Sequence, residues 1–94
     1  MNVELSRASA ALLCFEEEQT IAQQVADACG LALAVVERHR FPDGEVRLRL
    51  PDGLPPRVVV WRGLHQPNEK LVELLLAART ARQLGAGHLT LVTP

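Results

Sequence analysis

One stretch of this sequence, Arg40-Phe41-Pro42-Asp43-Gly44-Glu45-Val46, sets an aromatic ring close to two carboxylates. A ring beside acceptors is a platform on which a base bearing an exocyclic amine can stack and donate. Spacing alone also fits, and more often means, a plain turn with a packed phenylalanine. Arg47 and Arg49, two apart on one strand face, are spaced to hold a phosphate, although such a pair more often meets water or an acidic surface. His39, His65 and His88 are scattered and read as surface or strand-end residues rather than general bases. The sequence has no Gly-rich phosphate loop, no zinc-spaced His/Cys cluster and no nucleophile elbow. No catalytic residue and no metal ligand is therefore assigned within it.

The turn must be held by its flanks, and these alternate. Upstream, Val36, Arg38 and Arg40 share one face of an extended chain and Glu37, His39 and Phe41 the other; downstream, Val46, Leu48 and Leu50 alternate with Glu45, Arg47 and Arg49. Pro42 presets φ, Asp43 can bond the backbone that follows it, and Gly44 supplies a positive φ. Together they predict a β-hairpin with Pro-Asp-Gly at its tip. Four arginines and a histidine on the arms predict that it projects from the body.

Ala10 to Phe15 is an unbroken apolar run suited to a parallel strand covered on both faces. From Glu17 to Cys29 the apolar positions Ile21, Ala22, Val25, Ala28 and Cys29 recur at helical spacing, and Gly30 stands where a left-handed cap belongs. Leu31 to Phe41 is the next strand, its first half in the core and its second half the hairpin arm. Beyond the breakers Asp52-Gly53-Leu54-Pro55-Pro56, Val58-Val59-Val60-Trp61 is the most strand-like run and belongs at the centre of the sheet, with Trp61 packed at its end.

Pro67 halts that strand, and Asn68 is a suitable N-cap for a helix over Glu69 to Leu84. This helix is expected to bury Leu71, Leu74, Leu75, Ala78 and Ala81 and to expose Lys70, Glu73, Arg79 and Arg82. Gly85 ends it and His88 to Thr93 reads as a last strand. The order predicts an α/β fold, a mostly parallel sheet with flanking helices and a projecting β-hairpin.

A chain of 94 residues holds at most one small domain, and 1-94 is expected to be a single incomplete N-terminal α/β domain. An apolar content of 48% and a formal net charge of −1 argue against a disordered tail and against a nucleic-acid partner. Cys14 and Cys29 have neither metal-ligand spacing nor the density of a disulfide scaffold, and read as small buried hydrophobes in a reducing cytoplasm. Arg7 followed by Ala8 to Phe15 imitates a secretory signal, but the run is short, lacks a cleavage site and enters Glu16-Glu17-Glu18. No stretch approaches the roughly 20 apolar residues of a membrane-spanning helix.

The turn Phe41-Pro42-Asp43-Gly44-Glu45-Val46, entered from Arg40, resembles the N-terminal signature of the ribose-phosphate diphosphokinases, or phosphoribosyl diphosphate synthetases. The first strand and helix, Val58 to Trp61, Asn68-Glu69-Lys70-Leu71-Val72-Glu73-Leu74, and Ala81-Arg82-Gln83-Leu84-Gly85-Ala86 before a Thr-containing strand follow in the family's order. The resemblance implies the N-terminal part of a domain of phosphoribosyltransferase-like fold. It also implies an enzyme that passes the β,γ-diphosphoryl group of ATP to O1 of ribose 5-phosphate, releasing AMP, with Mg2+ as cofactor.

By the same resemblance Phe41, Asp43, Gly44 and Glu45 form the ATP-binding turn, supplied to a neighbouring subunit of a cytoplasmic homo-oligomer. Pro42 replaces the small polar residue usual there, Leu54-Pro55-Pro56 stands where the family has Val-Arg-Gly, and Glu69 stands where aspartate is usual. The family's metal ligands, catalytic loop and phosphate loops fall past Pro94, so the 94-residue chain is expected to be inactive by itself. A non-catalytic interaction or regulatory module of the same fold, and a related phosphoribosyltransferase with another acceptor, are the alternative readings.

Overall fold

A computed structural model describes residues 8–65 and 67–94; Arg7 and Gln66 lie outside the described residues. Five strands form one sheet in the order β3-β2-β1-β4-β5. They are β1 (Ala10–Phe15), β2 (Ala32–Arg40), β3 (Val46–Arg49), β4 (Arg57–Trp61) and β5 (His88–Val92), with helices α1 (Gln19–Cys29) and α2 (Pro67–Gln83) between them. All pairings are parallel except β2 with β3. The α/β architecture expected from the sequence is therefore the one observed.

The centre of the sheet is β1, not β4. β1 is paired on both sides, with Leu12 opposite Leu33 of β2 and Val59 of β4, and Ala11 to Phe15 are all buried. Its alternation builds two cores. Leu13 and Phe15 pack with Val36, Val58, Val60, Ala77 and Ala81 on the α2 side, while Leu12 and Cys14 pack with Ala22, Ala26 and Trp61 on the α1 side.

β2 changes partner midway, as its composition anticipates. Ala32 to Val36 pair with β1, and Glu37 to Arg40 pair antiparallel with β3. Beyond Val36 the chain leaves the body of the sheet and becomes the hairpin arm.

The helices differ from expectation in which faces they bury. On α1 the buried residues are Ala22 and Ala26, whereas Ile21 and Cys29 are exposed. The acidic residues before it form a 3₁₀ turn, Glu16–Glu18, instead of the first turn of the helix. On α2 the inward row is Glu73, Ala77 and Ala81, spaced by four, and Leu71 and Leu75 face outward, Leu75 at 70% exposure. Small alanines let each helix lie close to the sheet, and the place of Glu73 is explained by the cations it meets. Asn68 lies inside α2 rather than capping it, because Pro67 occupies the first turn, where a missing N–H costs no hydrogen bond. Among the described residues no helix is long and apolar enough to cross a membrane.

Gly30 closes α1 at φ 69, as the sequence leads one to expect, and Gly85 follows α2 at φ 119 with an ideal Cβ position 3.0 Å from the carbonyl oxygen of Leu54. Gly85→Ala thus meets both an unfavourable φ and a backbone atom, and is expected to cost about 1–3 kcal/mol. Gly30→Ala, with open space around it, is expected to cost about 1–2 kcal/mol. Urea midpoints of the two variants check this: the fold as described requires Gly85→Ala to be the less stable.

Candidate functional site

The hairpin tip is tied by its own backbone. Phe41 N–H donates to the Glu45 carbonyl at 2.8 Å and Gly44 N–H to the Phe41 carbonyl at 2.9 Å. Glu45 N–H donates to Asp43 Oδ1 at 3.0 Å, and Gly44 has the positive φ, 89°, that the turn requires. The sequence-selected residues Phe41, Asp43, Gly44 and Glu45 are thus brought together in one turn. Asp43, Gly44 and Glu45 are exposed, and Phe41 is half-buried.

Two neighbours on the same face shelter Phe41. The His39 ring meets it edge-on at 4.4 Å between centroids and an interplanar angle of 75°, and the Arg47 guanidinium lies 5.5 Å from the ring centroid. A planar ligand stacking on Phe41 either takes the face Arg47 leaves free or displaces Arg47, whose charge would then lie beside it. Arg49 stands opposite Glu37 in the ladder, and Arg47 opposite His39. His65 and His88 are both exposed.

A second constellation, at the carboxyl ends of the parallel strands, was not legible as a unit in the sequence. Arg62, directly after β4, is fully buried. Its guanidinium carbon stands 3.8 Å from the Phe15 ring centroid. Nη1 donates to Glu17 Oε1 at 2.5 Å and Nη2 to Glu73 Oε1 at 2.6 Å. Arg38 joins from the root of the hairpin, with Nη2 donating to Glu73 Oε1 at 2.7 Å and to Glu17 Oε1 at 3.1 Å, and Nε 2.6 Å from Glu73 Oε2. Two guanidinium groups and two carboxylates therefore neutralise one another.

The 3₁₀ turn Glu16–Glu18 reaches the same strand ends. Glu16 Oε1 accepts the Arg38 N–H at 2.9 Å, Glu17 meets both arginines, and Glu18 accepts the Gly63 N–H at 2.9 Å. Burial alone would push the Glu17 carboxyl up, but hydrogen bonds from Arg62, its own turn and Arg38 outweigh it and hold it at about 2. Cys14, beneath this turn, is driven the other way: burial, then Glu18 and Glu17, push its thiol up to about 11. It is an inert core residue.

Between hairpin and α2 runs a groove of about 380 Å³ lined by Arg40, Gly44, Val46 and, across it, Asn68, Val72 and Leu76. The tip half of the hairpin stands clear of the helix along this groove. Among the described residues the root is fastened through Arg38 and through Leu48 and Leu50 in the core.

Comparison with known proteins places the chain in a family. A family model described as the N-terminal domain of ribose phosphate pyrophosphokinase matches residues 10–94. A ribose-phosphate pyrophosphokinase of Methanopyrus kandleri is 33% identical over 88% of this chain and 29% of its own length. One from Saccharolobus solfataricus is 39% identical over 68% of this chain and 23% of its own length. One from Staphylococcus haemolyticus is 26% identical over 100% of this chain and 30% of its own length. The chain therefore spans less than a third of the length of these relatives.

The Glu17 carboxyl links the cluster to pH. Its value in the fold, about 2, lies below the ordinary 4.5, so its contribution to stability is complete above 4.5 and is lost as pH falls towards 2. Urea midpoints measured from pH 7 downwards should show Glu17→Gln less stable than the parent at neutral pH, with the gap closing through that window. A gap that stays constant to the acid limit contradicts the assigned role of Glu17.

Proposed function

The chain belongs to the ribose-phosphate pyrophosphokinase family, through its N-terminal domain, and from that membership we propose that it is part of an enzyme passing the diphosphoryl group of ATP to ribose 5-phosphate. Pyrophosphokinase and diphosphokinase are two names for this one activity. Within such an enzyme the chain supplies nucleotide contacts, with Phe41 stacking on the adenine and the Asp43 and Glu45 carboxylates accepting hydrogen bonds from the base and ribose. Gly44 keeps the turn narrow enough for close approach. The observation that supports this most is a half-buried ring and two carboxylates gathered on a self-tied tip that stands clear of the body.

A tip that stands away from its own core is placed to serve a neighbouring subunit, and a cytoplasmic homo-oligomer is the assembly proposed. The outward apolar residues Leu71, Val72, Leu75 and Leu76 of α2 suit burial against another surface. The same exposed face would equally serve a non-catalytic association module, so the nucleotide contact distinguishes the two readings.

Magnesium would supply charge neutralisation on the ATP phosphates. Among the described residues no group of three or more His, Cys, Asp or Glu is gathered to hold a metal ion. Glu17 and Glu73 are engaged by Arg38 and Arg62, and Glu18 by the Gly63 N–H. This chain's part is to bind and orient the base.

Base stacking on an aromatic ring is worth about 1–3 kcal/mol, so Phe41→Ala should weaken ATP binding by about five- to 150-fold. Amide NMR titration checks this. ATP should shift the signals of Phe41 to Glu45 in the parent chain and far less in Phe41→Ala, and ribose 5-phosphate should leave them in place. ATP-induced shifts confined to other segments, or an unchanged affinity in Phe41→Ala, would remove the nucleotide reading in favour of the association module.

A further inference from the structure

The hairpin has two halves with different mechanical support. Beyond Arg40 its hydrogen bonds are internal to the turn and the β2/β3 ladder, and the 380 Å³ groove separates it from α2. Among the described residues every hydrogen bond that joins the hairpin to another element is made by Arg38, through its backbone N–H to Glu16 and its guanidinium to Glu17 and Glu73.

Arg38 stands three residues before Phe41, about 10 Å along an extended strand, and two ladder positions inside Arg40. It lies where β2 has left β1 and has only β3 beside it. The guanidinium is gripped on two sides, by Glu73 of α2 and by Glu17 of the 3₁₀ turn, and it rests 5.7 Å from the Phe15 ring centroid. Leu48 and Leu50 hold the return strand down by apolar contact, which is non-directional and leaves a two-stranded ribbon free to bend. A charge-assisted pair with fixed donor directions is what sets an angle.

We propose that Arg38 is a positioning residue, its clamp between Glu73 and Glu17 setting the direction in which the hairpin leaves the sheet and hence where Phe41 is presented. The clamp also ties that direction to α2 and, through the shared Glu73, to Arg62 at the end of β4. A rotation or shift of α2 would be transmitted to the tip. The use made of this alignment rests on the nucleotide reading above; the clamp itself does not.

Arg38→Met tests the proposal, because it keeps an unbranched stem of useful length and leaves Glu17 and Glu73 both paired with the buried Arg62. In the parent chain the backbone order parameters of Gly44, Val46 and Arg47 should be near 0.85, and in Arg38→Met they should drop below about 0.6. Those of β1 and β4 should be unchanged. The apparent ATP Kd rises as the reciprocal of the fraction of time the tip is presented, and a rise of about tenfold is expected, with no further rise when Arg38→Met is added to Phe41→Ala.

Hairpin order that stays at the parent level in Arg38→Met, with the β1 and β4 signals intact, overturns the proposal. Should Arg38→Met fail to fold, Arg38→Lys carries the test, since it keeps the charge and loses the fork: reduced hairpin order with an intact core supports the clamp, and unchanged order overturns it. If Phe41→Ala leaves ATP binding unchanged, the nucleotide reading falls, while the order parameters still decide the role of Arg38.

Discussion

A guanidinium with no exposure to water is the constraint on which this structure turns. Transferring an unpaired charge from water to a protein interior costs far more than the whole stability of a small domain, so everything around Arg62 has to compensate for it. Phe15 supplies a π face, Glu17 and Glu73 supply anions, and Arg38 prevents those anions from outweighing the cation. Each of these partners comes from a different element. The single buried charge thereby gathers the ends of β1, β2 and β4 and one side of α2 to a common point.

Several features that departed from expectation follow from that point. Glu73 turns inward because it is needed there, and the row that accompanies it at four-residue spacing is Ala77 and Ala81 rather than leucine. The leucines are thereby turned outward. Glu16, Glu17 and Glu18 form a separate 3₁₀ turn because each has its own target among the strand ends, which a continuous helix starting at Glu17 would not place together. The hairpin, charged along its arms, is held at its root by Arg38 together with Leu48 and Leu50.

The parts legible in the sequence were those governed by local rules. The apolar run of β1, the midway change in β2, the Pro-Asp-Gly tip and the glycine that closes α1 all depend on alternation, turn chemistry or a positive φ, and all are found where those rules put them. The central strand and the inward helix faces depend on tertiary pairing, and there the reading erred: β1 displaced β4, and Glu73 displaced Leu71 and Leu75. Signals for the second error were present. An arginine directly follows the β-branched strand, three acids follow the unbroken apolar one, and a glutamate interrupts a leucine-rich helix in line with two alanines. Each is unremarkable alone, and only the parallel pairing of β1 with β2 and β4 makes them neighbours. The juxtaposition of residue types at the tip was legible, but the sheltering of Phe41 by Arg47 and His39 was not.

The central claim is that Arg62 and its carboxylates are mutually dependent, and a double-mutant cycle between Arg62 and Glu73 tests it most directly. Arg62→Met alone strands two carboxylates beside Arg38, and Glu73→Met alone leaves two arginines to share Glu17. Each should cost about 3–5 kcal/mol, as breaking a buried pair does. The double variant, with both replaced by apolar groups, should be more stable than the sum of the two losses by at least about 1–2 kcal/mol. Losses that add within experimental error would mean that Arg62 and Glu73 do not depend on one another, and the account of the fold built on them would be contradicted.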